Sequence, residues 1–147
     1  MVKANEILEG IRRQLLEQWP ERPVYDGNLP ESITEPAFGL TEESVQMLDA
    51  GPDCVEISAS YGILGLLPLE NGRSDRLALG GLRWDLLGLF AGGLVPVGGR
   101  ALNITKCTSS ILEGRVSVEL GLTFYDDRRE AEASQTMEQV QIRTETE

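Results

Sequence analysis

Arg115-Val116-Ser117-Val118-Glu119-Leu120-Gly121-Leu122-Thr123-Phe124-Tyr125 is the stretch that decides the fold. Val116, Val118, Leu120, Leu122 and Phe124 alternate with Ser117, Glu119, Gly121 and Thr123, the period of a strand with one buried and one wet face. Ala101 to Leu112 precedes it as a second strand, and Glu113-Gly114 between them suits a tight antiparallel hairpin. Upstream, Val55, Ile57, Ala59, Tyr61 and Ile63 alternate with Glu56, Ser58, Ser60 and Gly62, predicting another half-wet strand. Leu64, Leu66 and Leu67 run past that alternation, where both faces of the strand become covered.

Between these strands lies a helical pattern. Ser74 is the expected cap of a helix reaching about Ala91, with Leu79, Leu82, Leu86, Leu89 and Phe90 as its stripe and Trp84 and Leu87 broadening it. Gly80 and Gly81 weaken that helix by roughly 1 kcal/mol each relative to alanine, tolerable where a helix packs closely on a sheet. Gly92-Gly93 end it, and Leu94 to Val97 form a short strand before Gly98-Gly99.

The amino-terminal part opens with a helix over Asn5 to Gln18. Ala4, Ile7, Leu8, Ile11, Leu15 and Trp19 make one apolar stripe, with Glu9 and Arg13 paired at i and i+4 on the polar side. Pro20 stops the helix. Val24-Tyr25 reads as a short strand or extended entry, 26–35 as a surface loop, and Pro36 as the start of a strand. Ala37 to Leu48 is then an edge strand kinked near Glu42-Glu43, and Ala50-Gly51-Pro52-Asp53 a turn. After the hairpin, 126–135 is a charged linker. Residues 136–147 carry the sparse apolar set Met137, Val140 and Ile142, which can dock as a last strand, on this subunit or a neighbour.

One domain accounts for all 147 residues, α+β in class, with two main helices on a mixed or antiparallel sheet. No apolar run is long enough for a membrane helix, and the amino terminus has no secretory pattern. Histidine is absent, which excludes Ser-His and Cys-His nucleophile pairs. Phosphate-loop and dinucleotide fingerprints are missing, and the glycine pairs read as helix ends and turns. Cys54 and Cys107 lack zinc-site spacing and read as reduced strand residues, with a disulfide between them the other reading. Glu42-Glu43, Asp49 with Asp53, and Asp126-Asp127 read as solvated turn carboxylates, and Trp19 and Trp84 as core. No catalytic residue, cofactor or metal is expected. A net charge of −11 disfavours adhesion to nucleic acid and lets DNA pass without sticking.

Several segments together resemble the small phage tail terminator family of tailed phages and prophages of Gram-positive bacteria. They are Asn5-Glu6-Ile7-Leu8, Trp19-Pro20 to Val24-Tyr25, Glu35-Pro36-Ala37-Phe38, Leu102-Asn103-Ile104, and Ile111-Leu112-Glu113-Gly114-Arg115-Val116, with Met137-Glu138 beyond. The middle strand departs from the family pattern, since Ser58-Ala59-Ser60-Tyr61-Gly62-Ile63 is smaller and less charged. The resemblance implies a structural protein of the virion tail, assembled in the host cytoplasm. It implies a homohexameric ring that caps the tail tube, stops its polymerisation and presents the head-proximal joining surface. Its partners would be further copies of itself and the tail tube protein, with the tail sheath and head-tail connector as further candidates and DNA only as passing cargo. Ring closure requires two complementary patches per subunit. Leu64, Leu66 and Leu67 are the candidates for one, and Met137, Val140 and Ile142 for the other, the competing reading being that all six belong to the subunit's own core. Size and acidity are shared by a neck or connector adaptor, and a small-ligand-binding cytosolic domain would instead show a monomer or dimer with an apolar pocket.

Overall fold

The computed structural model describes residues 4–27, 29, 33, 35–69, 72, 73, 75–112 and 114–127. Among them the chain runs α1 (Ala4–Gln18), β1 (Val24–Asp26), β2 (Ala37–Asp49), β3 (Cys54–Leu66), α2 (Arg76–Leu89), β4 (Leu94–Val97), β5 (Arg100–Leu112) and β6 (Arg115–Asp127). The strands form one mixed sheet in the order β1-β2-β3-β6-β5-β4, parallel at β1–β2 and antiparallel elsewhere. The fold is therefore α+β, as the sequence predicts.

The β5–β6 hairpin forms where expected, with Leu112 opposite Arg115 and Gly114 at φ +75° in the turn. The buried face of β6 packs on α2, while α1 touches β4 at one edge of the sheet and β1 and β2 at the other. The sheet is thus curled, and α1 spans its open side. Ile7, Ile11 and Leu15 of α1, Leu79, Leu82 and Leu86 of α2, and the inward residues of β3 and β6 share one core. Periodicity explains this arrangement: each element buries the single stripe or face that its pattern offers.

Gly10 shows how closely α1 approaches the sheet edge. A β-carbon there would lie 2.4 Å from the Pro96 carbonyl oxygen, so a glycine that weakens the helix locally is what lets it dock on β4. Gly80 and Gly81, expected to serve the same purpose on α2, have open space instead. The cap of α2 also differs from expectation. Ser74 lies outside the described residues, and the carboxylate of Asp75 accepts from the Leu77 and Ala78 amides at 3.0 and 3.2 Å. On α1, Glu9 pairs with Arg12 at i+3, at 3.5 Å, in place of the expected Arg13.

Two placements overturn the reading of the sequence. Trp84 is 71% exposed. It stands two residues from both Leu82 and Leu86, about 200° around the helix from each, and so faces away from the core. Asp126 is no solvated turn residue but the buried acid of the sheet, 8% exposed and continuing the inward face of β6. Arg100 donates to its carboxylate at 2.7 Å and to the Tyr125 carbonyl at 2.7 Å, and lies 5.6 Å from the Phe124 ring. Arg100→Met is expected to lower unfolding free energy by about 1–3 kcal/mol, because it removes a charged hydrogen bond to a mostly buried carboxylate. Urea titration of Arg100→Met beside the double variant Arg100→Met/Asp126→Leu checks this, the double variant recovering much of the loss.

Candidate assembly surfaces

The amino-terminal motif is a structural clamp. The Trp19 ring lies 5.1 Å from that of Phe38, and the Arg22 guanidinium sits 5.5 and 5.8 Å from the two rings. Burial pulls the Arg22 pKa below its ordinary value, with Asp85 acting in the opposite direction. Arg12 donates to the Val24 carbonyl at 3.0 Å and pairs with Asp26, tying α1 to β1. Trp19 is thus partly buried against the core, as expected, and these residues join elements to one another.

The two cysteines, Cys54 and Cys107, lie within strands β3 and β5. Both are free, and burial pushes the Cys107 pKa up, away from the thiolate. Cys54 registers with Asp127 and Cys107 with Leu120 on the same β6, about 23 Å apart along the strand. That separation rules out a disulfide within the subunit. Among the described residues, no cluster of His, Cys, Asp and Glu is placed to hold a metal, and no helix is long and apolar enough to cross a membrane.

The surface that stands out is the sheet itself. Both helices pack on one face, and the other face, uncovered among the described residues, carries small polar side chains. Ser58 and Ser60 of β3, Ser117 and Thr123 of β6, and Thr108 and Ser110 of β5 lie there, with Glu56, Glu119 and Asp127 the acids on those strands. Lys106 answers Glu119 at 3.7 Å, and the Thr105 and Thr123 hydroxyls meet at 3.2 Å. Tyr125 donates to Glu56 at 3.1 Å, and that bond raises the phenol pKa.

Among the described residues, each side of the sheet also has a half-open edge. β1 covers β2 only over Phe38 to Leu40, so among the described residues the outer edge of β2 has no strand partner from Thr41 onward. A bulge at Glu43 interrupts β2 there, matching the expected kink. Beyond it Val45, Met47 and Leu48 are 54%, 39% and 46% exposed. On the opposite side β4 covers β5 from Arg100 to Asn103, and the Ile104 amide donates to the Gly93 carbonyl at 2.8 Å, so among the described residues the outer edge of β5 has no strand partner from Thr105 to Leu112. Periodicity identified the strands but not which edges stay open, because the two covering strands are short. α2 adds an outward stripe of Leu77, 89% exposed, Gly81, Trp84 and Gly88.

The structure places three of the six candidate interface residues. Leu64 is half-buried in a groove of about 300 Å³ with Leu29, Gly39, Thr41, Glu43 and Gly62. Leu66 is 3% exposed within the subunit. Leu67 packs against the core beside Trp19, Arg22 and Leu82. Met137, Val140 and Ile142, and the linker from residue 128, lie outside the described residues.

A family model described as "Phage tail terminator protein" matches residues 6–134 of this chain. No curated protein matches. One solved structure is similar over 82% of this chain and 95% of its own, at 17% identity and a TM-score of 0.43, a likeness too distant to bear on the argument.

Proposed function

Because this chain belongs to the phage tail terminator family, and is therefore a structural component of the virion tail that meets other tail proteins, we propose that it forms the ring closing the tail tube. Six copies assemble head to tail on the tube end, stop its polymerisation and present the surface to which the head-proximal connector joins. The observation that carries the reading is the pair of half-open edges on opposite sides of one sheet. A closed ring of identical subunits needs two different patches on each copy, and unpaired strand edges are the most association-prone surface a sheet can offer.

The uncovered sheet face suits the lumen. Its small hydroxyl side chains and sparse charge offer DNA no basic groove, and the net charge of −11 repels it. Leu64 and Leu67 flank the amino-terminal half of β2 as candidate contacts between copies, and Met137, Val140 and Ile142 supply the complementary set. Leu66 belongs with them only if the subunit opens there on assembly.

Electron microscopy of particles lacking this chain tests the proposal. Tails of uncontrolled length, or tubes without heads, are the expected result. Normal tails normally joined would sink it. Normal length with failed joining would move the protein to the connector.

A further inference from the structure

Among the described residues the outer half of β2 is a sheet edge without a partner strand. Val45 and Met47 stand opposite Ala59 and Ile57, both of which are buried, so they continue the core face of the sheet out to its rim. There, among the described residues, the apolar layer has no cover, and along Ser44 to Leu48 every second residue turns its backbone groups away from β3. Glu42, Glu43 and the bulge blunt the edge near β1, as edges that must stay unpaired are blunted. Ser44 to Leu48 carries no such protection, since neither a charge nor a proline interrupts it.

The chain holds a segment of matching chemistry. Thr136-Met137-Glu138-Gln139-Val140-Gln141-Ile142-Arg143-Thr144 puts Val140 and Ile142 two residues apart between polar neighbours, the spacing that Val45 and Met47 present. Arg143 is the one cation from residue 130 onward, and the acceptor edge has Glu42 and Glu43 beside it. This segment lies beyond the family match, which ends at residue 134.

We propose that residues 136–144 of one copy add as a strand to the Ser44–Leu48 edge of β2 in the next copy, laying Val140 and Ile142 beside Val45 and Met47. This rests on the ring reading above and names one of its two joints. Backbone hydrogen bonds hold the added strand, and the apolar pair sets its register. Reach admits both this copy's own edge and a neighbour's, and it is the need of a closed ring for a joint between copies that assigns the segment to the neighbour. Described chain ends at Asp127, opposite Cys54, at the same end of the sheet as the acceptor edge. Returning to its own edge means passing two strands, about 10–15 Å at roughly 4.8 Å each. Residues 128–135 extend to about 25 Å, more than that return requires.

Cross-linking tests the joint on the purified full chain and on assembled tails. Met47→Cys and Val140→Cys are introduced together in a Cys54→Ser/Cys107→Ser background and treated with a short bis-maleimide. The expected result is a ladder of linked chains ending at the ring's mass, absent from each single-cysteine control. In parallel, amide exchange at Ser44 to Leu48 is read in the assembled, otherwise native protein and in Val140→Pro. Protection is expected in the first and its loss in the second, which keeps the test intact should the cysteine variants misfold. A link within one chain overturns the proposal. So does linkage of Met47→Cys to Thr108→Cys in place of Val140→Cys, which would give the edge to β5 of the neighbouring copy. A hexamer by native mass with no such link, and with exchange unchanged by Val140→Pro, overturns this joint and leaves the ring standing. Absence of any oligomer both in solution and on tails removes both.

Discussion

Gly10→Val is expected to remove about 3 kcal/mol or more of folding stability, a large part of the roughly 5–15 kcal/mol a domain possesses. The physical reason is backbone against backbone. The new β-carbon would lie 2.4 Å from the Pro96 carbonyl oxygen, with Val95 and Val97 methyl carbons each 3.3 Å away. A flexible side chain could turn aside, but a strand carbonyl moves only with its strand. α1 must therefore lift from β4, and α1 is what bridges the two edges of the curled sheet. The loss should appear as a lower denaturation midpoint and reduced soluble yield. Gly81→Ala is the control, because its β-carbon enters open space. It should leave stability unchanged or raise it by about 0.5–1 kcal/mol through helix propensity. Equal losses in the two variants would refute the close-approach account.

Phe38→Ala is the second large effect, expected at about 3–5 kcal/mol. Phe38 is fully buried where β1 meets β2, and its ring carries both the Trp19 contact at 5.1 Å and the Arg22 contact at 5.8 Å. Its removal opens a cavity beneath the turn that ends α1. A double-mutant cycle with Trp19→Ala should return a coupling of about 0.5–1.5 kcal/mol between the two rings. Trp84→Ala, on the exposed face of α2, should change stability by less than about 0.5 kcal/mol. A Trp84 effect as large as that of Phe38 would contradict the placement of α2. If assembly alone fails in Trp84→Ala, the outward stripe of α2 belongs to a joint in the tail.

These contrasts show which residues carry their meaning locally. The β5–β6 hairpin was legible because a strict two-residue alternation and a glycine turn state both the strands and their pairing. The stripe of α1 was legible for the same reason, and the proline after Trp19 marked its end. Trp84 was misread because a leucine-rich helix is apolar nearly all round, so hydrophobicity stops saying which side faces in. Asp126 was misread because adjacent acids at a strand end look solvated until Arg100, distant in sequence, is seen beside one of them. The assembly surfaces were the least legible. An open edge depends on the length of the strand that covers it, and neither β1 nor β4 announces its own brevity.

By itself the sequence determined the class of the fold, the central hairpin, both helices and the absence of histidine chemistry, since each follows from periodicity or from residue types present or missing. The element order and the quoted motifs were enough to suggest the family, which the match over residues 6–134 bears out. Only the tertiary structure decided that the sheet curls so that α1 reaches both edges, that Gly10 must be glycine, and that Ser44 to Leu48 and Thr105 to Leu112 have no strand partner among the described residues. Those features arise where segments far apart in the chain compete for the same space, and no local pattern records the outcome of that competition.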